Sequence, residues 1–243
     1  MIIRPRSGKL LLVTQPDHAH LAAEILSLWR ADDLPRHPRR PELIFAVREH
    51  DNGWREPDAA PRVRPGGGAP MPFFEAPLEL RTEIWYRGVD RFSQEHPWAS
   101  LLILEHALRL HRGERQDPDW QEFFSTLEER RRVLLEAAVE TLGGSGAELS
   151  EDISRDYRFL ELADLLSLAV CSGWQGEYEC AGYEIEAQED RLLLSPFPLA
   201  GTTRFRLRCR EIDDRSYRDA VDLGVSLASA RWQDREIRLE PSS

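Results

Sequence analysis

The spacing of apolar and polar residues changes character twice along the 243-residue chain. Residues 1–13 predict two short strands, MIIRP and KLLLV, interrupted at Gly8. From Thr14 to about residue 172, apolar residues recur every three or four positions, which is typical of helices that bury one face. After Gly173 the apolar residues alternate with charged ones, and this period of two indicates half-buried strands.

The helical part divides into segments with recognisable ends. Thr14-Gln-Pro-Asp17 has the form of a capping box and predicts the start of the first helix. A second helix is expected after Pro41, running to about Asp51. Residues 57–73 are rich in proline and glycine and predict a long loop, either a lid over a site or a plain surface excursion. The later helices are expected over residues 78–95, 98–112, 119–142 and about 152–171.

These elements predict a mainly α fold with a small antiparallel β-sheet. The chain then divides into N-terminal strands over residues 1–13, a helical domain over 14–172 and a β-rich subdomain over 173–243 packed on it. The C-terminal segment forms the sheet, and the N-terminal strands either join it or stay apart. One strand carries an arginine stripe, which we expect to pair across strands with Glu184 and Glu186 rather than to bind phosphate. The stripe consists of Arg204, Arg206, Arg208 and Arg210.

Composition narrows the class of function. The net charge of −11 and the pI of about 5.2 argue against binding a nucleic-acid polymer, which needs clustered cations. No apolar stretch approaches the roughly 18 residues that span a bilayer, so no membrane partner is expected. The three cysteines form no CxxC pair. This argues against a disulfide framework or a thiolate zinc site, and it fits the reducing cytoplasm.

Five residues of the metal-ligand type fall on apolar helix faces. His18 shares the apolar face of the first helix, and His50 and Asp51 lean toward the buried side of the second. His106 lies in the apolar segment ASLLILEHALRL, and Asp164 lies in FLELADLLSLAV. Each residue taken alone is more often a hydrogen-bonded core residue than a ligand. Four helices that each carry such a residue nevertheless favour convergence on one divalent metal.

In this order the residues resemble the HD superfamily of metal-dependent phosphohydrolases. That all-helical family is marked by an early histidine, a His-Asp doublet and a late aspartate. His18 in HAHLA, the doublet in FAVREHDNGW and Asp164 in LELADLLSL match these positions. His106 resembles an additional histidine of many members, and Trp54 stands where many have lysine. The resemblance spans roughly residues 14–170 and implies an HD-domain-like helical bundle. More narrowly, QPDHAHLA, REHDNGWRE and ELADLLSL resemble an uncharacterised bacterial domain-of-unknown-function family.

The resemblance implies a hydrolase that uses metal-activated water to cleave a phosphoester, with a nucleotide among the candidates. The implied ligands of a zinc, manganese or iron ion are His18, His50, Asp51 and Asp164. The implied catalytic residues are His106, Arg48 and Arg55. The histidine would be a second-metal ligand, a phosphate contact or a general acid, and the arginines would be anion clamps or solvated surface residues. An iron oxygenase of the same superfamily and a non-enzymatic binding module stay open as alternatives. The expected partner is a small anionic substrate, and homodimer formation is undecided.

Overall fold

The structure, a computed structural model, describes residues 1–242. The α-helices in that range are α1 (Gln15–Ser27), α2 (Arg40–Glu49), α3 (Arg55–Ala59), α4 (Leu78–Asp90), α5 (Pro97–Leu110), α6 (Gln121–Leu142), α7 (Gly146–Ser172) and α8 (Ala220–Ser229). The strands are β1 (Ile2–Arg6), β2 (Lys9–Val13), β3 (Gly176–Cys180), β4 (Tyr183–Gln188), β5 (Arg191–Ser195), β6 (Thr203–Asp213) and β7 (Trp232–Pro241). None of the helices within these 242 residues is both long and apolar enough to cross a membrane.

The strands form one mixed sheet with the order β1-β2-β6-β7-β5-β4-β3. β1, β2 and β6 make one antiparallel group, and β3, β4 and β5 make another. β7 lies between the two groups, antiparallel to β6 and parallel to β5. The last strand of the described chain therefore joins the two halves of the sheet.

The predicted fold class, a mainly α bundle with a small antiparallel sheet, is wrong. The sheet is large, includes both N-terminal strands and pairs β5 with β7 in parallel, so the protein belongs to the α+β class. The period of two located strands such as β4 correctly, with alternating buried and exposed residues. It does not reveal strand order, because the pairing joins residues as distant as Leu10 and Ile212.

The helices cover the sheet unequally. α1 and α7 pack on one face, and the main core fills the space between these helices and the strands. α2 and α5 pack against α1 and α7, so the four helices enclose a common interior. On the opposite face, α8 contributes Leu223 and Leu227 to a smaller core with Leu10, Leu12 and Ile212. The interior between the four helices is where the predicted ligands meet.

Local capping explains where the helices begin and end. The Thr14 side chain accepts a hydrogen bond from the Asp17 N–H, which confirms the predicted start of α1. α7 begins earlier than predicted because Ser145 and Glu148 form a complete capping box. It ends before Gly173, whose φ of 68° is the left-handed conformation that glycine adopts most readily.

The loop predicted over residues 57–73 is tied to its neighbours. α3 takes up its first residues, and Val63 forms an antiparallel bridge with Pro70 that closes a turn. Gly68 pairs with Tyr217, so the loop is anchored to the segment that follows β6. Phe73, the last residue of the loop, lines a cavity that opens from the interior between the helices. The loop is thus an anchored wall between the C-terminal segment and that cavity.

The predicted partners of the arginine stripe are wrong. Glu184 and Glu186 lie on β4, which is not a neighbour of β6. β7 supplies the acid instead, with the Arg204 Nη1 3.6 Å from the Glu236 Oε2. Two further arginines of the stripe stack on the indole of Trp232. The prediction of cross-strand pairing was sound in kind, but it named the wrong strand because the insertion of β7 is not visible in the local pattern.

Candidate metal centre

Four helices bring the five predicted polar residues together. α1 carries His18, His50 caps the C-terminus of α2, and Asp51 follows it. α5 carries His106 and α7 carries Asp164. The His18 Nε2 lies 2.9 Å from the Asp51 Oδ2, and the His50 Nε2 lies 3.3 Å from the Asp164 Oδ1. The His106 Nε2 lies 3.8 Å from the Asp164 Oδ2.

Each histidine turns its Nε2 toward this cluster because its Nδ1 is held from behind. The His50 Nδ1 donates to the main-chain carbonyl three residues earlier, at 2.7 Å. The His18 Nδ1 lies 2.9 Å from the Ser167 hydroxyl, which donates to a main-chain carbonyl of α7 and therefore accepts from the ring. The His106 Nδ1 lies 3.1 Å from the Tyr157 hydroxyl. Partners of this kind fix ligand orientation in metal sites.

The cluster has the spacing of a metal site. Two groups of side chains have ligand atoms within 4.8 Å of one another, namely His18, His50 and Asp51, and His50, His106 and Asp164. The Nε2 of His50, which both groups share, is buried and makes no well-aligned hydrogen bond within residues 1–242, although the Asp164 Oδ1 lies 3.3 Å away. An unpartnered buried polar atom costs about 1–3 kcal/mol. A cation at this nitrogen would remove that cost, and imidazole with carboxylate suits zinc, manganese or iron.

The electrostatics of the cluster favour a cation. Burial opposes the charged form of His50, but the carboxylates of Asp51 and Asp164 outweigh it and raise the pKa of this histidine to about 9. Burial likewise opposes ionisation of Asp164, yet the neighbouring histidines hold its pKa well below the usual range. Burial lowers the pKa of His106 to about 4, which leaves it neutral at pH 7. Without a metal, the proton on His50 neutralises part of the carboxylate charge, and metal binding would displace it.

The cluster opens to a cavity of about 260 Å³. His18, Asp51, His106 and Asp164 line it, and Asp164 is accessible from it because its side chain remains 18% exposed. The wall also includes Gln15, Trp54, Phe73, Phe74, Arg81, Trp85, Leu110, His111 and Glu114. A mostly apolar cavity with a few convergent polar groups is the usual form of a small-molecule site.

The arginines predicted as anion clamps do not line this cavity. The Arg48 side chain is 60% exposed, and Arg55 pairs with a glutamate of α2 at 2.5 Å. Arg81 of α4 lines the cavity instead. Nearness to the His-Asp doublet in sequence was misleading, because successive helical residues point in different directions. Ile84 and Trp85 follow Arg81 by three and four positions, and this apolar face was the available signal.

All five residues of the cluster lie in the part of the chain that matches the profile of one protein family. The profile of a family described as "Protein of unknown function (DUF3891)" matches residues 1–214. The chain belongs to this family. The narrower resemblance, to an uncharacterised family, is thereby confirmed. No curated protein and no solved structure matches the chain. The DUF3891 match ends before α8 and β7, the strand that joins the two halves of the sheet.

His111 in the cavity wall of this DUF3891 chain makes the free energy of unfolding depend on pH. Burial, assisted by Arg81, lowers the pKa of His111 from 6.5 to about 4, and its Nε2 accepts a hydrogen bond from the Trp85 Nε1 at 2.9 Å. The fold favours the neutral ring, so this contribution is complete above pH 6.5 and is lost as the pH falls toward 4. Between pH 7 and pH 5 we expect metal-free wild-type protein to lose about 2 kcal/mol relative to His111→Gln, measured by urea denaturation. Parallel pH profiles for the two proteins would contradict this.

Proposed function

We propose that the chain is a metal-dependent hydrolase of a phosphoester, with a nucleotide among the candidate substrates. The observation that best supports this is the convergence of three histidine Nε2 atoms and two carboxylates on a cluster that opens to a cavity. A purely structural network of core residues would satisfy its buried polar atoms. The His50 Nε2 makes no well-aligned hydrogen bond and is flanked by two carboxylates, an arrangement that supports a bound cation.

We assign the metal ligands to His18, His50, Asp51 and Asp164. The His50 Nε2 lies 3.6 Å from the Asp51 Oδ2 and 3.3 Å from the Asp164 Oδ1, so it is flanked by both carboxylates. Two carboxylates balance the charge of one divalent ion, which lowers the free-energy cost of burying the centre. The two ligand groups share His50, and a neutral imidazole offers a single lone pair. This favours one ion, with His106 beside it.

A divalent ion in this centre would lower the pKa of bound water toward 7 and polarise a phosphoryl oxygen. The neutral ring of His106 presents its Nε2 to the cavity while the Tyr157 hydroxyl holds its Nδ1. A neutral imidazole carries one proton and one lone pair, so His106 can exchange a proton with the substrate through its Nε2. Trp54 and Phe73, with ring centroids 6.3 Å apart, form an apolar wall that limits the entry of water.

The choice of phosphoester hydrolysis rests on the resemblance to the HD superfamily. The chain follows that order of ligands, with His18 first, the His50–Asp51 doublet next and Asp164 last. The cluster lies between α1, α2, α5 and α7. The seven-stranded sheet of the described chain is not part of the helical bundle that this resemblance implies.

Metal content and phosphate release test this proposal together. Protein purified without chelator is expected to hold about one divalent ion per chain by elemental analysis. It should release phosphate from a panel of phosphoesters that includes nucleotides. Removal of the ion with EDTA should abolish release, and addition of Mn²⁺ or Zn²⁺ should restore it. His20 lies on the same helix as His18 but outside the cluster, so His20→Ala is the matched control for His18→Ala.

Three results would contradict the proposal at different points. Wild-type protein that binds no metal, even after supplementation, would overturn the metal centre. Bound metal without phosphate release from any ester would overturn the reaction. Bound iron together with an oxygen-dependent product would assign the centre to the oxygenase alternative.

A further inference from the structure

Arg81 is a cation of the cavity wall without an acidic partner among residues 1–242. Its side chain lines the cavity that opens from the metal centre. Its Nε is buried, and among residues 1–242 it has no hydrogen-bond partner. A buried N–H group without a partner costs free energy, and the cost is larger when the group is charged. An anion in the cavity would satisfy it.

Two nearby arginines, Arg87 on α4 and Arg91 directly after it, differ from Arg81. Arg87 pairs with Glu56 and Glu83, and Arg91 pairs with Glu56. Both also donate to main-chain carbonyls of the turn that follows α2. These arginines stabilise the packing of α4, whereas Arg81 forms no such salt bridge with the described residues.

Packing fixes the direction of the Arg81 guanidinium before any ligand binds. Its Cζ lies 4.8 Å from the centroid of the Trp120 ring, which is within the range of a cation–π contact. Trp120 is held in turn by the His111 ring, with centroids 4.5 Å apart. A guanidinium held in this way loses less freedom when it binds an oxyanion.

We propose that Arg81 binds the anionic group of the substrate and that the organic part lies against Phe74 and Leu110. Phe74 and Leu110 line the cavity yet expose 64% and 56% of their surfaces. Exposed apolar side chains at the entrance of a cavity indicate a ligand contact. The inference rests on the proposed function and defines its substrate class: a small phosphoester of an apolar, preferably aromatic, alcohol.

The cavity wall holds charges of both signs. A divalent ion is balanced by its two carboxylate ligands, so Arg81 adds the positive charge that attracts a phosphoryl group. Glu114 also lines the cavity, and its Oε2 lies 4.0 Å from the His111 Nδ1. The Oε1 of Gln15, a second buried atom without a partner among the described residues, places an amide in the same wall. Because an amide oxygen accepts hydrogen bonds, it can contact a hydroxyl of the ligand but not an anionic oxygen.

Calorimetric titration with phenylphosphonate, which is not hydrolysed, tests the role of Arg81. Arg81→Met keeps an apolar stem over Trp120 and removes the charge. In Mn²⁺-loaded protein we expect Kd to rise about 10- to 100-fold with the manganese content unchanged. Arg112→Gln is the matched control, because Arg112 is exposed and does not line the cavity. Its Kd should stay within about twofold of the wild-type value.

Methylphosphonate tests the apolar part of the proposal. Phe74→Ser should weaken phenylphosphonate about fivefold or more and leave the affinity for methylphosphonate unchanged. Equal losses for the two ligands, or no loss for either, would overturn the assignment of the organic part to this rim.

The outcomes separate this inference from the function on which it rests. An Arg81→Met protein that keeps its manganese and binds phenylphosphonate as tightly as wild type would overturn the role of Arg81 and leave the metal centre standing. Wild-type protein that binds no metal would overturn the proposed function. If phenylphosphonate binding to that metal-free protein still depends on Arg81, the role of Arg81 stands, and otherwise it falls as well. Circular dichroism spectra that match wild type confirm that the variants are folded.

Discussion

Asparagine in place of Asp164 is expected to remove the metal from the cluster. The substitution keeps the shape of the side chain and removes the charge that faces His50 and His106 at 3.3 and 3.8 Å. Changes in residues behind the ligands already cost about 10- to 100-fold in metal affinity. For a ligand itself we expect a loss of at least about 100-fold, with phosphate release lost in parallel. Competition against a chromophoric chelator measures the affinity, and elemental analysis checks the stoichiometry.

Glu161 supplies the matched control for Asp164. It lies on the same helix, three residues earlier, and its side chain is exposed. Glu161→Gln removes the same charge from α7, so the metal content should stay at the wild-type level. Full metal content in Asp164→Asn would show that this carboxylate is not a ligand. Equal losses in the two variants would show that the net charge of the helix matters more than the contact.

Alanine in place of Gly53 is expected to destabilise the protein by at least about 3 kcal/mol. A Cβ at this position would lie 2.0 Å from the main-chain oxygen of Ile84 and 2.8 Å from its carbonyl carbon. Main-chain atoms of a helix cannot rotate away, so α4 must move relative to the turn after the His-Asp doublet. Denaturation by urea measures the loss. Because α4 carries Arg81, phenylphosphonate affinity should fall as well.

Gly88→Ala tests whether the lack of space at Gly53 causes the loss of stability expected in Gly53→Ala. It lies on α4 beside the same turn, but a Cβ there would be 3.6 Å from the nearest atom, the Gly53 nitrogen, which is an ordinary contact. Gly88→Ala also gains helix propensity, so we expect stability equal to wild type or up to about 1 kcal/mol higher. A similar loss in Gly53→Ala and Gly88→Ala would rule out the close approach to Ile84 as the explanation.

The candidate site was predictable to the extent that helix periodicity places side chains. His18, His106 and Asp164 each interrupt an apolar helix face, and the structure brings all three to one cluster with the His-Asp doublet. The arginine of the cavity was not predicted, because it is distant in sequence from the His-Asp doublet. Arg81 comes from α4, which is brought there by tertiary packing. The need for glycine at position 53 was not predictable, because it arises from the close approach of Ile84 on another helix.

The helices and strands were largely predictable, and their arrangement was not. Period and capping residues mark each element locally, as at Thr14 and along β4. Strand order depends on pairings between distant segments, and β7 carries no local sign that it will lie between β5 and β6. The arginines of β6 illustrate the same limit, since their acidic partner on β7 could be named only from the sheet.

Ribosomal synthesis delivers β7 after every strand that it joins. Until it emerges, β5 and β6 each lack the neighbour that β7 provides in the sheet. Unpaired strand edges are sites where unfinished chains associate with one another. The residues of the metal centre, which end at Asp164, leave the ribosome well before this strand. The sheet beneath α1 and α7 therefore cannot close until the last strand of the described chain has been made.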